Sequence, residues 1–237
     1  MESQVDNIVI NYKSICLRRS DVNCFEEFNI LNDMAIGFYY QILKDRNEFK
    51  SVVESVLFVE PASVSLLCYD YDLEDLFEMF APLKFNERDL IFFPLNDNTD
   101  KYDYGAGQHW ALLMYQKSND TFYYLDSMSS FIKNADIFVS KFIEIKNYKK
   151  SPTNKIFPKI VKVLSEKIQF NSYDCGMFVL AFTESLMKIL ISQDKKIELN
   201  EESIRVAVYS EINQKSVKQL RKEILQIIKE IKNKEIR

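Results

Sequence analysis

The sequence predicts an α+β fold in one domain, a central group of strands flanked by helices. Three observations predict it. Leu90-Ile91-Phe92-Phe93 is a short continuous apolar run, and Ala111–Tyr115 and Thr121–Leu125 are apolar-aromatic runs joined by polar Gln116–Asp120, the pattern of a buried strand followed by a hairpin. Segments with helical spacing lie on both sides of these strands. Glycines number 4 and prolines 5 in 237 residues, so long flexible linkers are not expected.

In chain order, Ile8-Val9-Ile10 is a short apolar stretch, followed by a polar segment with Arg18, Arg19, Ser20 and Asp21. Asn32 and Asp33 can cap a helix beginning near Met34, and Ala35, Phe38, Tyr39 and Ile42 repeat at helical spacing. A second, interrupted helical segment is expected within Glu60–Phe80. Asn96 to Gly107 reads as a polar loop. Phe131–Ile145 is helix-like, and Lys159–Leu164 alternates as a half-exposed strand does. Gln169–Gly176 is a loop leading into Met177–Ile191, which is apolar on nearly all sides and reads as a buried helix. Val217, Leu220, Ile224, Ile227, Ile228 and Ile231 form one apolar face of a charged C-terminal helix.

A net charge of −4 argues against a general nucleic-acid binder. No uninterrupted apolar run approaches the roughly 18 residues that span a bilayer, and the N-terminus lacks the basic and apolar regions of a secretory signal. The four cysteines are Cys16, Cys24, Cys68 and Cys175. None is in a C-x-x-C pair, and one histidine makes no zinc-ligand set. Reduced thiols in the cytoplasm or nucleus are expected.

His109 is the only histidine, and it precedes the only tryptophan, Trp110. Near neutral pH it is the first candidate for acid–base chemistry. Cys175 stands where a polar loop enters an apolar helix, whose unpaired N–H groups favour a thiolate. Asp174 and Gly176 are poor neighbours for a packed core thiol, and Gly176 would admit a substrate backbone. Asp126 ends the hairpin that His109 leads into, where it can orient the imidazole. The Gln169 amide can donate to a developing oxyanion. Each residue also has an ordinary reading: an inert thiol, a satisfied half-buried histidine, a core tryptophan, a turn-initiating aspartate, a loop glutamine.

Together these residues resemble the Ulp/SENP family of cysteine proteases that cleave ubiquitin-like proteins. The matching segments are Gly107-Gln108-His109-Trp110-Ala111-Leu112-Leu113, Tyr124-Leu125-Asp126-Ser127 and Gln169-Phe170-Asn171-Ser172-Tyr173-Asp174-Cys175-Gly176-Met177-Phe178-Val179. Leu31-Asn32-Asp33-Met34-Ala35-Ile36-Gly37-Phe38, Leu95-Asn96-Asp97-Asn98 and Asn171-Ser172-Tyr173-Asp174-Cys175-Gly176-Met177 are most similar to the deneddylase branch, which processes the Nedd/Rub modifier. The resemblance runs from about Val9 to Leu190 and implies a papain-like fold with a mixed sheet. It gives one protease domain over 1–237, a catalytic core at about 8–192, and a C-terminal helical extension at about 200–235 with no clear counterpart in the family.

The resemblance implies Cys175 as nucleophile, His109 as base, Asp126 as orienting carboxylate, and Gln169 with the Cys175 N–H at the oxyanion. Trp110 would close over the modifier's Gly-Gly tail, and Ile30, Asp33, Asn96, Asp97 and Gly176 would touch it. Asp33, Asp97 and Asp100 are candidates to meet a basic tail residue. No metal or cofactor is needed, and a monomer binding neither nucleic acid nor membrane is expected. In two places the sequence departs from the branch. Ile30 stands where the branch usually has a tryptophan, and the loop before His109 is longer by Lys101, Tyr102, Asp103 and Tyr104. The same chemistry also fits a ubiquitin- or SUMO-directed protease, a bacterial effector acting in host cytoplasm, or an acetyltransferase using the same Cys and His. A silent binding module is disfavoured by the intact residue set.

Overall fold

The computed structural model describes residues 6–69, 71–98, 100, 102, 107–130, 133–148, 158–192 and 199–235. A hairpin of β1 (Ile8–Tyr12) and β2 (Ile15–Arg18) is followed by a short helix α1 (Arg19–Asn23) and by α2 (Asp33–Asp45). Next come β3 (Val56–Phe58), α3 (Pro61–Cys68), α4 (Leu73–Phe80) and β4 (Leu90–Asn96). The hairpin β5 (Trp110–Gln116) and β6 (Thr121–Leu125) precedes α5 (Asn134–Lys146) and β7 (Lys159–Lys162). The chain ends in α6 (Cys175–Ser192), α7 (Glu201–Glu211) and α8 (Gln214–Glu235).

The main sheet has the order β3-β4-β5-β6-β7. Its outer pairs are parallel and its inner pairs antiparallel, so the expected mixed sheet flanked by helices is present. Period-two alternation divides the core between its two faces. Trp110, Leu112 and Met114 pack with α2, α6, α7 and α8. Ala111, Leu113 and Tyr115 pack with α3, α4 and α5. This explains why β4, β5 and β6 are apolar throughout: both faces are covered.

The expected elements are present with shifted ends. Asn32 caps α2 by accepting from Ala35 N at 2.9 Å. The helix expected over Phe131–Ile145 begins at Asn134, and residues 131–132 lie outside those described. The β1–β2 hairpin, β3 and α7 are additions to the expected elements. By length and composition α6 could cross a membrane, but 67% of it is buried inside the protein. Val217, Leu220, Ile224 and Ile228 of α8 are buried in the same core as α6, so the C-terminal helices complete the covering of that face.

Candidate active site

In the β5–β6 register Leu112 faces Leu125, so the residues before β5 and after β6 leave the sheet at the same edge. His109 and Asp126 thereby meet: His109 Nε2 lies 2.9 Å from Asp126 Oδ1. The His109 backbone is fixed from β4. Asp97 Oδ1 accepts from Gln108 N at 2.8 Å and His109 N at 3.0 Å, and Asp97 N donates to His109 O at 3.1 Å.

Asp126 is buried, and both of its oxygens are engaged. Oδ1 also accepts from Met128 N at 2.8 Å, and Oδ2 accepts from Tyr124 OH at 3.1 Å and Ser130 Oγ at 2.5 Å. Burial alone would raise its pKa, but the bonds from His109, Ser130 and Met128 hold the carboxyl below its ordinary value. Burial opposes charge on His109. The hydrogen bonds to Asp126 and Cys175, with the electrostatic pull of both groups, outweigh that and raise its pKa to about 10. An imidazolium is the favoured form. With Nε2 committed to Asp126, Nδ1 is the nitrogen left for the thiol.

Cys175 is the first residue of α6, so its N–H is among those without an intrahelical partner. The thiol is 1% exposed, and its Sγ lies 3.9 Å from Gln108 O. Gln169 is anchored beside Asp126. Its backbone N donates to Ser127 O at 3.0 Å, and Ser127 Oγ donates to its Oε1 at 2.6 Å. That bond leaves Nε2 as the donor end of the amide, and it donates to Asn171 O at 2.8 Å.

Two cavities meet over this cluster. One, of about 720 Å³, is lined by Leu31, Asp33, Asn96, Gly107 and Trp110 among others. The other, of about 800 Å³, is lined by His109, Gln169, Met128, Ser130 and Lys133 among others. Ile30 and Gln108 belong to both. A buried thiol paired with an oriented imidazole that lines one of these clefts can carry out acyl transfer through a thioester.

Several expectations need correction. Asp97 lines the cavity with His109 and spends its carboxylate on the loop backbone, so of the three acids proposed for a basic tail residue only Asp33 lines the Trp110 cavity. Burial there raises the Asp33 pKa above its ordinary value. Gly176 is buried. A Cβ there would meet Leu31 Cβ at 2.8 Å. Asp174 is also buried, so the expectation that it and Gly176 could not border a packed thiol fails. The Trp110 indole N–H donates to Leu31 O at 2.8 Å, and the ring lines the same cavity as Asp33. Of the longer loop, residues 101, 103 and 104 lie outside those described; Tyr102 is exposed.

Sequence reasoning missed Tyr124, Ser127, Ser130 and Asn171 as supports, and Arg221 of α8. Arg221 had a signal. It falls four residues after Val217 and three before Ile224, a charge inside an apolar stripe.

This arrangement of thiol, imidazole and carboxylate on a mixed sheet is that of a papain-like cysteine peptidase. The chain belongs to the Ulp1 protease family, matching its C-terminal catalytic domain over residues 29–236, and is a cysteine protease of ubiquitin-like proteins. Its relatives include proteins named sentrin-specific protease 8 and NEDD8-specific protease. It is 32% identical to the probable sentrin-specific protease 8 of Dictyostelium discoideum, over 96% of this chain and 99% of that protein. It is 26% identical to NEDD8-specific protease 1 of Arabidopsis thaliana, over 98% and 96%. The solved Ulp1 protease domain in complex with Smt3, the yeast ortholog of SUMO, shares the fold with a TM-score of 0.63 at 18% identity, over 96% of this chain and 89% of that one. The family match reaches residue 236, so α7 and α8 fall within it, contrary to the expectation that the C-terminal helix lacks a counterpart.

Proposed function

We propose that the protein is a deneddylase, cleaving after the C-terminal Gly-Gly of a Nedd/Rub-type modifier in precursors and in isopeptide conjugates. The observation that carries the chemistry is the His109–Asp126 pair at 2.9 Å beside Cys175. The relatives that carry NEDD8 in their names support the choice of modifier.

In this reading the tail lies in the cavity walled by Trp110 and Leu31, and the scissile carbonyl sits under Ile30 and Gln108. Cys175 Sγ attacks the carbonyl carbon. His109 holds the thiol proton and delivers it to the leaving lysine Nζ, and water then hydrolyses the thioester. Asp126 keeps the imidazole oriented and charged. Gln169 Nε2 and the Cys175 N–H donate to the oxyanion, and one such donor contributes on the order of 3 kcal/mol. The leaving side occupies the cavity with Met128, Ser130 and Lys133.

A panel of fluorogenic substrates carrying Nedd/Rub, SUMO and ubiquitin tests this. The expected result is the highest kcat/KM on the Nedd/Rub substrate. A higher value on SUMO or ubiquitin would reassign the modifier and leave the chemistry intact. Self-acetylation from acetyl-coenzyme A with no cleavage of any substrate would replace hydrolysis altogether.

A further inference from the structure

Arg221 of α8 is 4% exposed, and both of its terminal nitrogens are fully used. Nη1 donates to Cys24 O at 2.8 Å and Glu26 O at 2.9 Å. Nη2 donates to Asn29 O at 3.1 Å and Asp174 Oδ1 at 2.7 Å. Its buried Nε has no partner among the described residues. A buried guanidinium with one counter-charge is weak evidence for stability. Its rigid fork is well suited to fixing geometry.

The groups it holds lead to the reacting atoms from two directions. Asp174 directly precedes Cys175. Its Oδ2 accepts from Gln214 Nε2 and, at 2.7 Å, from Asn171 Nδ2. Asn171 Oδ1 in turn accepts from Asp174 N at 3.0 Å, and Asn171 O accepts from Gln169 Nε2 at 2.8 Å. One chain of bonds thus runs from Arg221 through Asp174 and Asn171 to the amide proposed for the oxyanion. In the other direction, the three carbonyls belong to the segment that ends at Ile30 and Leu31. There Leu31 packs on Gly176 and receives the Trp110 indole.

We propose that Arg221 is a positioning residue for peptide cleavage: it registers the Cys175 thiol, the Gln169 amide and the Ile30–Leu31 wall against one another. The C-terminal helix α8 thereby supports the site from the N-terminal end of α6, where Asp174 directly precedes Cys175. Lysine cannot replace it, because an ammonium is a point charge with three donors and cannot span three carbonyls and a carboxylate in one plane.

The test uses the full chain with Arg221→Lys and Gln214→Ala. The second change removes one half-buried donor to Asp174 and keeps the core intact. Folding is checked by circular dichroism. Two readouts follow: kcat and KM on a modifier-tail substrate, and the pH profile of Cys175 alkylation by iodoacetamide, read on the Cys175 peptide by mass spectrometry. In folded R221K, kcat is expected to fall on the order of 10- to 100-fold, by more than KM rises. Its alkylation profile should move to higher pH, and Q214A should show both effects at smaller size. Melting temperatures that drop while both variants keep the wild-type profile, and kcat within about twofold, would overturn the proposal. Alkylation needs no modifier, so this outcome stays separable from an error in the modifier assignment.

Discussion

Asp126 accepts His109 Nε2 at 2.9 Å from a carboxylate that is itself held by Tyr124, Met128 and Ser130. The imidazole is thereby oriented and charged before any substrate arrives. Its pKa is raised to about 10, so the falling limb of kcat/KM against pH belongs near that value, where the imidazolium loses its proton. Asp126→Asn should lower kcat/KM on the order of 100-fold and move that limb toward about 6.5, the unperturbed histidine value. An unmoved limb would assign it to another group. The stability sign follows from the same shift. The raised value stabilises the fold fully below about 6.5, and this contribution is lost as pH rises through about 10. The melting temperature of the wild type should fall over that window relative to His109→Gln.

Ser127 orients the Gln169 amide through a 2.6 Å bond to Oε1, and Nε2 donates to Asn171 O at 2.8 Å. Gln169→Ala should reduce kcat on the order of 100-fold or more with little change in KM. A change confined to KM would make Gln169 a ground-state contact.

Leu31 occupies the space of a Cβ at Gly176 at 2.8 Å. Gly176→Ala should destabilise the fold by about 1–3 kcal/mol through overpacking. Adding Leu31→Ala should recover part of that loss, so a double-mutant cycle in chemical denaturation should show coupling. Additive effects would mean that the two residues do not press on each other.

Much of this was legible in the sequence. The runs that became β4, β5 and β6 are apolar because both faces of the sheet are covered. His109, Asp126, Gln169 and Cys175 could be singled out as residue types and by spacing, and the structure brings them together. The rest depended on contacts distant in sequence. β3 has three residues, too few for a periodic signal. Trp110 and Leu31 are 79 positions apart. Asp174 meets Arg221 across 47 positions, so an acid whose burial is satisfied by a later helix reads, locally, as a poor neighbour for a packed thiol. The packing of Leu31 on Gly176 was hidden for the same reason.

Ile30 is 39% exposed and borders both cavities, where the resembling branch carries a tryptophan. Ile30→Trp should add about 1 kcal/mol of apolar contact to a bound tail and lower KM about fivefold at unchanged kcat on tail substrates. A rise in KM would show that the larger ring obstructs the cleft.

The most direct test is covalent. A Nedd/Rub modifier ending in a vinyl electrophile, placed where the scissile carbonyl would be, should label the wild type at Cys175 alone, although Cys16 is exposed and Cys24 and Cys68 are half-buried. Cys175→Ala should take no label. Labelling of that variant, or of the wild type at another cysteine, would contradict the assignment of Cys175 as the nucleophile.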